Sequence, residues 1–143
     1  MKNLILIVAA LIIFSGCSKN QAEQQAVTDQ LVSFIATGQW KMTSFVAGST
    51  DMTASFSNYK FQFKTDLTVD AILINSGTVD KTGTWNASVT SQTITSNFTN
   101  ANATLTLLNG IWTVTNTSNS TQVFVQAKQT VGGQLYTLRL DRI

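Results

Sequence analysis

Tyr59-Lys60-Phe61-Gln62-Phe63-Lys64-Thr65-Asp66-Leu67-Thr68-Val69-Asp70-Ala71-Ile72-Leu73 is the stretch that decides the fold class of this chain. Aromatic residues stand at 59, 61 and 63 and polar residues at 60, 62 and 64. That period of two belongs to a strand with one buried and one wet face. Thr65-Asp66 makes a tight turn, and Leu67, Val69, Ala71 and Leu73 carry the apolar face back along a return strand. Asp70 is out of phase with that face and is expected to point to solvent.

The same period runs outward in both directions. Upstream, Trp40, Met42 and Ser44 alternate with Lys41, Thr43 and Phe45. Downstream, Asn75-Ser76-Gly77 is a turn signal, and Gly83-Thr84-Trp85 begins a strand with Ala87 and Val89 in phase. Ile94, Ser96 and Phe98 mark the next strand. Asn100, Asn102, Asn109 and Gly110 punctuate an ambiguous stretch whose Leu105, Leu107 and Leu108 can cover one end of a barrel. Trp112 and Val114 open another strand, closed by a turn from Asn116 to Ser120. Val123, Val125 and Ala127 give the next inward face, and Tyr136, Leu138 and Leu140 the last, after the turn at Val131-Gly132-Gly133. This spacing predicts an all-β protein, with about eight strands in an antiparallel barrel or sandwich.

Ahead of the strands the period changes. Val27, Leu31, Phe34 and Ile35 share one face of a short amphipathic helix over Ala26 to Ala36, with Gly38 as its stop. Its expected place is as a plug or lid against the barrel. Ser18 to Gln25 reads as a polar tether.

Composition narrows the function. Of 143 residues, 43% are hydrophobic and 11% charged, which excludes a disordered tail. The net charge of +2 has no basic run or stripe behind it, so nucleic acid is not an expected partner. There is no histidine and one cysteine. Ser-His-Asp and Cys-His catalysis and a zinc set are therefore excluded, and no cofactor or metal is expected. Asp66 is a turn residue and Asp51 and Asp80 are expected in loops, so with Asp70 they do not suggest a pair of carboxylates facing across a cleft, as glycoside hydrolysis requires. The expectation is a protein that is not an enzyme.

The N-terminus carries an address. Lys2 supplies a positive charge, Leu4 to Phe14 is an uncharged apolar run, and Ser15-Gly16 precede Cys17. The run falls short of the roughly 20 residues of a spanning helix. The string Phe14-Ser15-Gly16-Cys17 resembles the bacterial lipobox, with Phe in place of the usual Leu. That resemblance implies a signal peptide over 1–16 and a Cys17 that is lipidated and becomes the new N-terminus. Two or more acyl chains hold a protein stably to a bilayer, at about 0.8 kcal/mol per buried methylene. Ser18 rather than Asp follows the cysteine, which favours the outer membrane, and Ser18-Lys19-Asn20-Gln21 lack the acidic cluster that marks surface export in some bacterial lipoproteins, which favours the side facing the periplasm. The division expected is 1–16 signal peptide, 17–37 lipidated cysteine, tether and helix, and 38–143 barrel domain.

Asp51, Thr53, Phe56, Tyr59, Phe61 and Phe63, then Gly83-Thr84-Trp85, then Leu108-Asn109 before Trp112 and Val114, together resemble a family of lipocalin-like domains. That family occurs in small lipoproteins of Bacteroidetes-type bacteria. The strand start Gly38-Gln39-Trp40-Lys41 echoes the Gly-x-Trp of lipocalins generally. The resemblance covers about Gly38 to Ile143. The chain departs from it at Leu67, where a turn glycine is usual. The resemblance implies a barrel with a ligand site and no particular activity.

Aromatic residues in so small a domain read first as core, since burying each one removes about 150–250 Å² from water. If a small apolar ligand enters, Trp40, Tyr59, Phe61, Trp85 and Trp112 are the residues expected to line its cavity. The alternative is a structural or accessory lipoprotein that holds no ligand. It would dock on an envelope protein partner through a strand edge or loop.

Overall fold

The computed structural model describes residues 17–118 and 122–143, and the side chains from residue 21 onward. The expected signal peptide, residues 1–16, lies outside the described residues, as does the end of the turn expected at Asn116 to Ser120. Among the described residues, helix α1 (Cys17–Ala36) is followed by nine strands. These are β1 (Trp40–Ala47), β2 (Thr50–Asp51), β3 (Tyr59–Phe63), β4 (Thr68–Leu73) and β5 (Val79–Ser88). They are followed by β6 (Thr93–Asn97), β7 (Gly110–Thr117), β8 (Phe124–Val131) and β9 (Gln134–Arg142). A 3-10 turn, Thr53–Phe56, precedes β3, and a short helix α2 (Ala103–Thr106) precedes β7.

All pairings are antiparallel, and consecutive strands pair from β3 through to β9. β9 then returns to β1, from Trp40↔Arg142 to Ala47↔Tyr136. β1 meets β3 at Trp40↔Phe61. Eight strands thus close into a barrel, with the two-residue β2 added to the end of β1. Closure removes the open strand edges that invite aggregation.

Alternation was the right reading for β3, whose Tyr59, Phe61 and Phe63 are buried. It breaks in β1. The register slips between Met42 and Ser44, a bulge that inserts Thr43 without a partner of its own. Inward phase moves from Trp40 and Met42 to Phe45, which is fully buried, and Ser44 is not part of that face. The bulge also puts the Thr43 hydroxyl on Asp141, which Arg139 grips with Nε at 2.8 Å and Nη2 at 2.7 Å. The seam is therefore clasped on its outer face.

One end of the barrel is plugged. Phe56 from the 3-10 turn and Leu105 from α2 are fully buried there, with Phe45 and Phe56 rings 4.8 Å apart. Asn102 caps α2 by accepting from the Leu105 N–H at 3.0 Å, and its amide donates to the Tyr59 hydroxyl at 2.8 Å. Tyr59 in turn donates to Asp80 at 2.7 Å. The opposite end is covered by α1.

Two glycines carry specific duties. Gly38 ends α1 at φ +80, as expected of a helix stop. A Cβ on Gly83 would lie 2.7 Å from the Asn97 carbonyl and 2.8 Å from the Phe98 ring, so β5 and β6 can approach only with glycine there. Leu67 takes φ +65 at the β3–β4 turn, the left-handed conformation that the usual glycine would adopt freely.

Three expectations need correction. The helix reaches back beyond Ala26 as far as Cys17, so the segment read as a tether is helical. Its Ala, Glu and Gln residues are good helix formers whether or not a neighbour buries them. Asp80 and Asp51, read as loop residues, lie in β5 and β2. Asp70 alternates with the inward Val69 and Ala71, yet it is only 7% exposed. Lys64 Nζ stands 2.6 Å from it, and the Thr82 hydroxyl donates to it at 2.7 Å. Neighbours on both flanking strands cover it.

That enclosure has a pH consequence. Burial opposes the Asp70 charge, but the bonds from Lys64 and Thr82 outweigh it and hold the carboxyl below its ordinary value. A depressed folded value gives stability that is fully present above the unfolded value of about 3.9 and lost as the pH falls through the folded one. Asp70→Asn should cost about 1 kcal/mol at neutral pH. In urea denaturation series, the gap to the parent should narrow below about pH 4; a gap constant down to acid unfolding would contradict the pairing.

Candidate ligand-binding cleft

The barrel interior is nearly filled. Trp40, Met42, Phe61, Phe98 and Trp112 leave an apolar space of about 50 Å³. A dry apolar cavity that takes one benzene measures about 150 Å³, so this one holds no organic guest. Of the five residues expected to line a cavity, Trp40, Phe61 and Trp112 do face this space. Tyr59 does not: its ring stacks on Phe61 at 6.3 Å and its hydroxyl serves the plugged end, where burial and then Asp80 raise its pKa. Trp85 also stands apart. It meets Phe63 edge-on at 5.2 Å and donates from Nε1 to the Lys64 carbonyl at 3.0 Å.

The larger space lies at the helix-covered end. An open cleft of about 670 Å³ separates α1 from the ends of β5, β6 and β7. Pockets of about 300–1,000 Å³ hold drug-sized ligands. Val27, Leu31 and Phe34 line it from the helix, and Ile94, Val114 and Val125 from the barrel. Gln30, Gln92 and Asn116 add neutral amides. Ile35, Ile94 and Val125 also line the interior space, and Ile35 is 2% exposed. Ile35 is thus the stopper between the two spaces. A second groove of about 270 Å³ runs on from Val27, past Val89, to Glu23.

The C-terminal end of α1 is pinned while the rest lies over the cleft. Trp40 Nε1 donates to the Ile35 carbonyl at 2.8 Å, and the Arg142 guanidinium donates to the Phe34 carbonyl. These are carbonyls of the last turn, beyond the reach of the regular helical ladder (Phe34 O also accepts from Thr37 N–H at 3.4 Å), where a cation also meets the negative end of the helix dipole. Arg142 further lies 4.6 Å over the Phe34 ring and 5.0 Å over Trp40. Arg142 Nε is buried without a hydrogen-bond partner. Midway along the helix Val27 remains 47% exposed.

Other chemistry is sparse. Among the described residues no cluster of His, Cys, Asp and Glu is suited to a metal ion, and no helix is long and apolar enough to cross a membrane. Asp66 and Asp51 accept from the backbone and side chains of their own turns, Thr68 and Thr53 respectively. The cleft was not legible in the sequence: its walls come from segments about 25 to 90 residues apart, and alternation does not say where a helix leaves a gap.

No protein-family model and no curated protein matches this chain. A solved structure does: a crystal structure of a DUF4847 family protein from Bacteroides vulgatus ATCC 8482. It is 18% identical, with a TM-score of 0.52, and the match covers 78% of this chain and 96% of that one. The two share a fold.

The pinned helix gives a prediction. Arg142→Ala should raise hydrogen-exchange rates of α1 amides about tenfold, the loss of about 1.4 kcal/mol expected for a bond to a charged donor. Exchange in β4 and β5 should not change. An equal rise across the sheet would mean that Arg142 supports the barrel rather than the helix.

Proposed function

We propose that this protein is a lipid-anchored, non-enzymatic binding module of the bacterial cell envelope, with a lipocalin-like barrel and a small apolar ligand held beneath α1. The observation that carries this reading is the pairing of a filled interior with a drug-sized, mostly apolar cleft at the barrel mouth. A ligand of that size fits only in the cleft. Cys17, the expected lipid-attachment residue, lies in the helix that roofs it. At 1.5 Å per residue, Val27 lies about 15 Å along the helix from Cys17, so anchor and cleft share one rigid element. An acylated Cys17 would hold the cleft close to the bilayer from which an apolar guest comes. The outer membrane, facing the periplasm, is the site this reading favours.

A docking lipoprotein without a ligand is the second reading. It is favoured by the filled interior and by Ile111, Val131 and Leu135, which are 63%, 43% and 52% exposed at the plugged end of β7, β8 and β9. Exposed apolar side chains gathered at one barrel end are a feature of interaction sites.

Two measurements test the proposal. Cys17→Ser should move the protein from the membrane fraction to the soluble one; a variant that stays with lipid removes the anchor. Native mass spectrometry of the purified protein with envelope lipid extract should show one bound small molecule. Val114→Trp, which fills the cleft from a half-buried position on β7, should abolish that adduct and leave the thermal midpoint within about 3 °C. No adduct on the parent protein, or an adduct that Val114→Trp retains, would dismiss the cleft as a site.

A further inference from the structure

The cleft has a chemical bias that its volume does not express. Among the described residues none lining it is charged, and the one charged residue on the groove beyond it is acidic, Glu23. Asp29, next to Gln30 on the helix, is acidic as well. An ionised carboxylate or phosphate entering here would lose water and meet no cation among the described lining residues, which is costly in an apolar setting. The polar groups on offer are neutral hydrogen-bonding ones: Gln30 on α1, Gln92 in the β5–β6 turn, and Thr93 and Asn116 on the strands.

Gln92 adds an independent sign. It holds φ +53, the left-handed region that glycine and asparagine occupy readily and longer side chains seldom do. The turn itself is made by backbone: Gln92 N–H donates to Val89 O at 3.2 Å, and Gln92 O accepts from Val114 N–H at 2.8 Å. Glycine would make those bonds with less strain. The amides of Gln30 and Gln92 engage no other protein group among the described residues. A strained residue whose side chain does nothing for the fold is in place for something outside it.

Resting on the reading of the cleft as the ligand site, we infer that it takes a neutral, single-chain amphiphile. The alkyl chain lies along Val27, Leu31 and Val114, and hydroxyl or amide groups of the head bond to Gln92 and Gln30. The class is that of monoacylglycerols, fatty alcohols and fatty amides, and it excludes ionised fatty acids and phospholipids.

The test compares two probes of equal chain length on the purified protein below their micelle thresholds, at about pH 8, where a carboxylic acid is ionised. The probes are 1-monolauroylglycerol and dodecanoic acid, read by calorimetry. The glycerol ester should bind at least about tenfold tighter than the acid. Gln92→Gly should weaken the ester about tenfold while the thermal midpoint holds or rises, because glycine relaxes the turn. Gln30→Ala should weaken it similarly. Val114→Trp should abolish binding of either probe. Equal binding of both probes, with Val114→Trp abolishing it, overturns the neutral class and leaves the cleft standing. Undiminished ester binding by Gln92→Gly overturns the role of the amide. Failure of both probes on the parent protein overturns the inference and the cleft together.

Discussion

Eight strands closed edge to edge enclose a space of limited width, and side chains must fill whatever part of it no ligand fills. In this protein Trp40, Phe45, Phe61 and Trp112 do so, each at most 3% exposed, and the space left is about 50 Å³. Everything else in the structure follows from that crowding. The plug of Phe56 and Leu105 closes one end, and Ile35 stops the other. A guest is thereby excluded from the axis and left with the margin between helix and barrel.

The helix then has a mixed character. Its last turn is part of the core, held through carbonyls by Trp40 and Arg142. Its earlier turns stand over a gap rather than against a packed surface, so Val27 stays half exposed. A helix fixed at one end and loosely supported along the rest opens locally more readily than the barrel beneath it. Such a part suits a lid, because opening costs only the few contacts across the gap.

Much of the barrel was legible because half-buried strands must alternate. The run from Tyr59 to Leu73 gave a hairpin, and the pairing Phe61↔Ala71 places both residues on the inner face as the pattern implies. Alternation failed where one residue altered the count, at Thr43, since a bulge leaves no mark in composition. It failed again at Asp70, whose burial depends on Lys64 and Thr82 crossing from two other strands. The aromatic residues proposed as ligand contacts were correctly read as buried. Which space each one borders depends on strand ends and on the tilt of the helix, and Tyr59 and Trp85 went to other duties. Leu67 and Gln92 look alike on paper, as ordinary residues at turns. Only their left-handed backbones separate them from their neighbours, and only the position of Gln92 at the cleft rim gives its side chain a use.

The central claim is that a guest sits in the cleft and not on the barrel axis. The most direct measurement is a set of intermolecular nuclear Overhauser effects between 1-monolauroylglycerol and the methyl-labelled protein. The account predicts contacts from the alkyl chain to the methyl groups of Val27, Leu31 and Val114. Contacts confined to Val69 and Leu138, deep in the barrel, would contradict it.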